Sequence, residues 1–323
     1  MGLKILLMSN MISKFLGKII NLFFKKIINK ALSYNNALII FRNGSAIGDH
    51  LYMTSVLREI YLQNKKIILF SNYYELFINN QRIYKLFKFK SNSFIWFFLN
   101  NLKGECILEF RSLNDKKSNK HFLFYHKDKY IHLSQAMSEH FNLNLSYKDI
   151  KNEFFFTKKE LINYEKNIKL PEKFSLIQSN AKQTYTANKE WNLEGMQGII
   201  NHFHSIHWIQ IGKSDETKLK NCDYKLDLNL RELAYVIFKC EFLVVYEGLF
   251  NHLASCFNKK IFLIHTGFLP KEAFNYKNNI LIENNKSYPC YPCFDIDCEN
   301  HKYFTKRNIK IENVIEKIKS NLV

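Results

Sequence analysis

An acid follows a glycine turn in Arg42-Asn43-Gly44-Ser45-Ala46-Ile47-Gly48-Asp49-His50-Leu51, between the apolar run Ala37–Phe41 and Leu51, Thr54, Ser55, Leu57, Arg58 and Leu62 at helical spacing. A strand, a glycine turn and a helix start in that order place backbone N–H groups and a carboxylate at the mouth of an α/β crevice. Asp49 could there accept a proton from a hydroxyl, and the plainer role is an acidic helix cap. The same layout recurs in Val244-Val245-Tyr246-Glu247-Gly248-Leu249-Phe250-Asn251-His252-Leu253-Ala254. Glu247 could orient a sugar hydroxyl, and N–H groups beside Gly248 could bind phosphate. His252 falls in the first turn, where a lone histidine is more often a structural hydrogen-bonding group than a catalyst. Ser179-Asn180 follows another strand pattern and leads into Lys182, Thr184, Thr186 and Asn188-Lys189-Glu190-Trp191. Hydroxyls and lysines at the carboxyl end of a strand suit a diphosphate, although such a stretch is also an ordinary solvated loop.

Several chemistries are excluded. The glycine run lacks the full Gly-x-Gly-x-x-Gly pattern of a dinucleotide site, and no Gly-Lys-Ser or Gly-Lys-Thr supplies a phosphate-cradling lysine. Seven cysteines, an odd number in a chain of enzyme size, fit a reducing compartment better than a disulfide scaffold. Cys290, Cys293, Cys298 and then His301 could supply four ligands to zinc or iron. The spacing is not a strong zinc signature, so a reduced loop is the preferred reading. Asp295-Ile296-Asp297 spells a metal motif but lies in that cysteine loop, away from the crevice motifs.

With 323 residues and 47% hydrophobic content, the chain can bury a large core and more naturally makes two domains than one. Its formal net charge of +18 attracts anions: phosphorylated lipids, acidic glycans, nucleotides or nucleic acid. Nucleic acid is disfavoured, because the lysines and aromatics are spread along the chain without a recognition helix or stacking motif. Residues 1–34 form a basic amphipathic extension suited to an anionic leaflet, with docking on the protein or export as alternatives. No apolar run reaches the roughly 18 residues of a spanning helix.

The elements alternate. Strands are expected at Ala37–Phe41, Lys66–Phe70, Tyr84–Phe87 and Cys106–Phe110, with helices at Asp49–Leu62, Tyr73–Asn79, Ser93–Asn100 and Leu133–Phe141. Ser146–Pro171, polar and ending at a proline, is the best candidate linker. The pattern then restarts with strands at Phe174–Gln178, His207–Ile211, Phe242–Val245 and Ile261–His265, helices at Leu193–Phe203, Leu230–Lys239 and Phe250–Phe257, and a last amphipathic helix over Asn308–Asn321. The expected domains are 35–165 and 166–323, two Rossmann-like α/β units facing a cleft.

Taken together, these motifs resemble the heptosyltransferase family of bacterial lipopolysaccharide and capsule synthesis, over about residues 37 to 318. The resemblance implies the GT-B fold, a C-terminal helix returning to the first domain, and inverting transfer of a heptose-like sugar. The donor implied is a nucleotide diphosphate sugar of the ADP-heptose or GDP-heptose type. The acceptor implied is an anionic lipid-linked glycan of lipopolysaccharide, lipooligosaccharide or capsule, at the inner face of the cytoplasmic membrane. The family general base falls on Asp49, which the turn at Gly48 presents to the acceptor. The Lys-x-Trp element falls on Lys189-Glu190-Trp191, whose lysine is implied to meet the diphosphate, with Asn192 in place of the usual proline. The ribose-binding acid matches Glu216, with Asp215 as rival. The Asp-Thr-Gly-x-x-His-Leu-Ala element becomes Glu247-Gly248-Leu249-Phe250-Asn251-His252-Leu253-Ala254, a longer acid without the threonine. Ser179 and Thr186 join this donor site, and Arg58 and Arg111 are candidates for acceptor phosphates. No metal or other cofactor is required for transfer; a structural zinc or iron would sit in the cysteine loop. A hexose donor is the alternative, and a non-catalytic nucleic-acid binder the more distant one.

Overall fold

The computed structural model describes residues 37–42, 46–88, 107–110, 125–126, 129–181, 185–283, 290–301 and 308–322. The N-terminal extension 1–34, the expected helix Ser93–Asn100, and Gly44, Arg111, Lys182 and Thr184 lie outside them. The chain divides into two compact units, Met1–Ala46 with Leu57–Asn114, and Ile47–Val56 with Asp115–Val323.

The first unit holds β1 (Ala37–Arg42), β2 (Lys66–Ser71), β3 (Ile83–Lys88) and β4 (Ile107–Phe110) in the order β3-β2-β1-β4. All neighbours pair in parallel, with Ile40 opposite both Leu69 and Leu108. Fully buried Ile67 and Leu69 explain the apolar runs: a parallel sheet carries side chains into a covering layer. The helix α1 (Ile47–Leu62) contributes Leu57 and Ile60 to this core, while its first ten residues count with the second unit. Tyr73–Asn79 is not a helix beyond the short turn Tyr74–Leu76.

The second unit begins with the hairpin β5 (Tyr125–His126) and β6 (Lys129–Tyr130), α2 (Leu133–His140) and α3 (Lys158–Asn167). A six-stranded sheet follows: β7 (Ser175–Gln178), β8 (Trp208–Gly212), β9 (Asp223–Leu226), β10 (Phe242–Tyr246), β11 (Lys260–His265) and β12 (Asn279–Glu283), ordered β12-β11-β10-β7-β8-β9 and parallel throughout. The order reverses between β7 and β10, which opens a crevice at their carboxyl ends. Helices α4 (Leu193–His202), α5 (Leu230–Lys239) and α6 (Leu249–Cys256) connect the strands. The last helix, α7 (Ile311–Leu322), buries Val314 and Ile318 completely in a core shared with Trp191, Met196, Ile199 and Trp208. Its apolar face therefore packs on α4 of its own unit.

The expected linker is also corrected. Within Ser146–Pro171, Thr157 and Glu160 cap α3 reciprocally and Asn152 is fully buried, so side-chain anchors order a stretch whose composition reads as polar.

Candidate functional site

Asp49 stands in the first turn of α1 and is partly buried. Nothing larger than glycine fits one place before it: a Cβ at Gly48 would lie 2.7 Å from His252 Cδ2 and 3.3 Å from its Nε2. The His252 ring thus lies against the turn that carries Asp49. Tyr52, one turn further on, meets the His252 ring at 4.4 Å between centroids. Its phenol pKa is pushed well up by burial, by Tyr276, and by the carboxylates of Asp49 and Glu247, so both acids act on one buried ring.

Glu247 and Gly248 leave the carboxyl end of β10. Gly248 has φ of +152°, a conformation that favours glycine, and the space where its Cβ would stand is open within 4 Å. That leaves the N-terminus of α6 bare for close backbone approach to a ligand. Glu247 is buried, and its Oε1 lies 2.9 Å from Lys189 Nζ, with side-chain exposures of 2% and 17%. Lys189 also lies over the rings of Phe268 and Tyr185, at 5.3 Å and 5.4 Å. A cation held by a buried carboxylate and aromatic faces is positioned to meet a diphosphate.

The segment that carries Lys189 is clamped. Trp191 donates its indole N–H to Ile309 O at 2.9 Å, and the Thr266 hydroxyl donates to Asn188 O at 2.7 Å. Thr186 donates its hydroxyl to Ile296 O at 2.7 Å and accepts from Asn188 N at 3.0 Å, so it braces the loop rather than offering its proton to a phosphate. Ser179 is buried and accepts from Gln210 Nε2 at 2.8 Å. Its hydroxyl also hydrogen-bonds Glu216, whose carboxyl is nevertheless pushed up to about 7, chiefly by burial. Glu216 is half-buried while Asp215 is exposed, which favours Glu216 as the acid that would meet a ribose.

The Arg58 guanidinium pairs with neighbouring Glu59 at 2.9 Å, and one candidate is corrected. His301 is fully buried with Nε2 3.0 Å from Asn188 O, so it braces the Lys189 segment instead of joining the thiols. The sulfurs of Cys290, Cys293 and Cys298 all lie within 4.8 Å of one another. Three converging thiols suit zinc or iron as a donor set once deprotonated. Burial pushes the Cys293 thiol up to about 12 without an ion.

Sequence reasoning missed His132, Asn152 and Tyr276. His132 and Asn152 are fully buried and Tyr276 nearly so, and all three surround His252 and Tyr52. Each comes from a different segment, so no local spacing marks them.

Parallel strands with acids, a lysine and a bare helix start at their carboxyl ends define a doubly wound α/β unit. Solved glycosyltransferases of the GT-B fold share this architecture. Comparison with protein-family models and with curated proteins finds no match. Among solved structures, the glycosyl transferase family 9 protein from Veillonella parvula aligns at 14% identity and TM-score 0.61, over 88% of this chain and 96% of that one. The ADP-heptose lipopolysaccharide heptosyltransferase II of E. coli aligns at 10% identity and TM-score 0.64, over 88% and 98%. TibC of enterotoxigenic E. coli, an iron-containing dodecameric heptosyltransferase solved with ADP-D-beta-D-heptose, aligns at 12% identity and TM-score 0.60, over 90% and 77%. At these identities the likeness establishes the fold.

Proposed function

We propose that this chain is an inverting glycosyltransferase that moves a heptose-like sugar from a nucleotide diphosphate to an anionic lipid-linked glycan of the lipopolysaccharide, lipooligosaccharide or capsule kind. One observation carries the reading: a cation for a diphosphate, a bare helix start and a carboxylate base converge on His252 and Tyr52 within a single unit. Asp49 takes the proton from the acceptor hydroxyl as that oxygen attacks the anomeric carbon from the face opposite the leaving group. Lys189 and the N–H groups after Gly248 stabilise the departing diphosphate, and Glu216 accepts hydrogen bonds from the ribose. Because fixed cationic and dipolar groups balance that charge, transfer needs no divalent ion. Zinc or iron held by Cys290, Cys293 and Cys298 would be structural, fastening the loop that also anchors Asn188 through Asp295 O at 2.9 Å.

Solved structures of this fold with ADP-D-beta-D-heptose and with ADP support an adenine nucleotide donor as the first to test. A hexose donor is the second reading, favoured by Glu247, whose longer side chain pairs with Lys189 at 2.9 Å where the resembled motif has an aspartate. The test is a thermal-shift screen of nucleotide sugars followed by turnover on extracted lipid-linked acceptor, with chelator present. Asp49→Asn should bind donor with unchanged affinity and lose about a hundredfold to ten-thousandfold in turnover, the loss expected when a base is removed. Full turnover by that variant removes Asp49 as base, and strict metal dependence removes the charge-balance argument.

A further inference from the structure

The hydrogen bonds beneath His252 bear on where its proton sits. The Ser255 hydroxyl donates to His252 O at 2.7 Å, so its remaining capacity toward Asn152, 3.0 Å away, is as an acceptor. Asn152 must therefore present its NH2 group on that side, and His252 O, an acceptor only, lies 3.4 Å from the same nitrogen. Ser55 donates to the opposite end of the amide, Oδ1, at 3.2 Å. The Asn152 NH2 group also donates to the Tyr276 hydroxyl at 2.8 Å. That oxygen, already accepting from Asn152, lies 2.8 Å from His252 Nδ1, where its O–H can donate a hydrogen bond to a bare ring nitrogen.

We infer that Tyr276 and Asn152 are positioning residues that hold His252 as the neutral imidazole with its proton on Nε2. His252 is then a fixed hydrogen-bond donor on the Gly48–Asp49 turn, not a second base. An Nε2 that already carries a proton cannot take another from the acceptor hydroxyl, which leaves that step to Asp49. Burial supports the neutral form by driving the His252 pKa well below its usual value, helped by His132 and Lys189. The role as donor during transfer rests on the proposed function; the tautomer does not.

The experiment is side-chain nitrogen NMR on the uniformly 15N-labelled full chain between about pH 6 and about pH 8, with the His252 signals assigned by their loss in His252→Gln. A protonated Nε2 and a bare Nδ1 throughout that range are expected. In Tyr276→Phe the two tautomers should mix, and kcat should fall by up to about tenfold, the worth of one neutral hydrogen bond, while donor KM stays within about twofold. A purely structural Tyr276 would leave the tautomer unmoved. A proton on Nδ1, an imidazolium, or an unchanged tautomer in Tyr276→Phe overturns the inference. Failure of every nucleotide sugar as donor would instead defeat the proposed function and leave the tautomer result standing.

Discussion

Glu216 shows how one side chain ties chemistry to pH with two opposite signs. Burial, with Asp215 and Glu190 adding to it, pushes its carboxyl up to about 7 in the folded chain, against an ordinary value of 4.5. The unfolded chain releases that proton earlier, so Glu216 favours the folded state below the lower value and loses that contribution as pH rises to about 7. Donor affinity runs the other way, because only the ionised carboxylate accepts two ribose hydroxyls. Calorimetric titration of the donor nucleotide should show affinity rising toward about pH 7 and levelling above it, by at most about tenfold per pH unit. Glu216→Gln should flatten that limb and remove the matching fall in thermal stability. A wild-type affinity independent of pH across this range takes Glu216 out of the ribose site.

The elements explain how residues remote in sequence reach the site. Arg231, in the first turn of α5, bonds Glu160 at 2.7 Å and Phe155 O at 2.7 Å, and lies over the Phe154 ring at 4.8 Å. Burial raises the Glu160 pKa, but the Arg231 and Thr157 hydrogen bonds outweigh it and hold the carboxyl below its usual range. This clasp ties α3 and the stretch before it to α5, and so orders the stretch that delivers Asn152 to Tyr276. Arg231→Ala should cost about 2 kcal/mol in urea unfolding, the low side of breaking a buried pair because Glu160 keeps some exposure to solvent. A change under about 0.5 kcal/mol would mean that the clasp follows the fold instead of making it. The same contrast marks what a reader of the sequence could see. Strand, glycine turn and helix start are local patterns, so β1 with α1 and β10 with α6 were legible. Strands β9 and β12 were not, because they edge the sheet and mix exposed polar with half-buried residues instead of forming apolar runs. His132, Asn152 and Tyr276 were invisible for a further reason: only the folded sheet brings their segments together.

At the scale of the whole molecule, charge and fold bear on the lipid-linked acceptor proposed above. No helix among the described residues is long and apolar enough to cross a membrane. The net charge of +18 supplies a long-range attraction, which added salt screens within about 10 Å at 0.1 M. Residues 1–34 add a second component, because six lysines there alternate with apolar side chains that can enter the headgroup region. These two components respond differently to salt. The full chain should sediment with vesicles rich in anionic lipid at low salt and retain a fraction at about 0.5 M, where bare charge attraction is lost. A chain lacking residues 1–30 should keep the low-salt binding in part and lose the salt-resistant fraction. If deletion leaves both fractions unchanged, the extension does not bind membrane and the general surface charge carries the association. If the full chain binds neutral and anionic vesicles alike, charge is not the attraction, and the excess of lysine serves neither lipid nor acceptor.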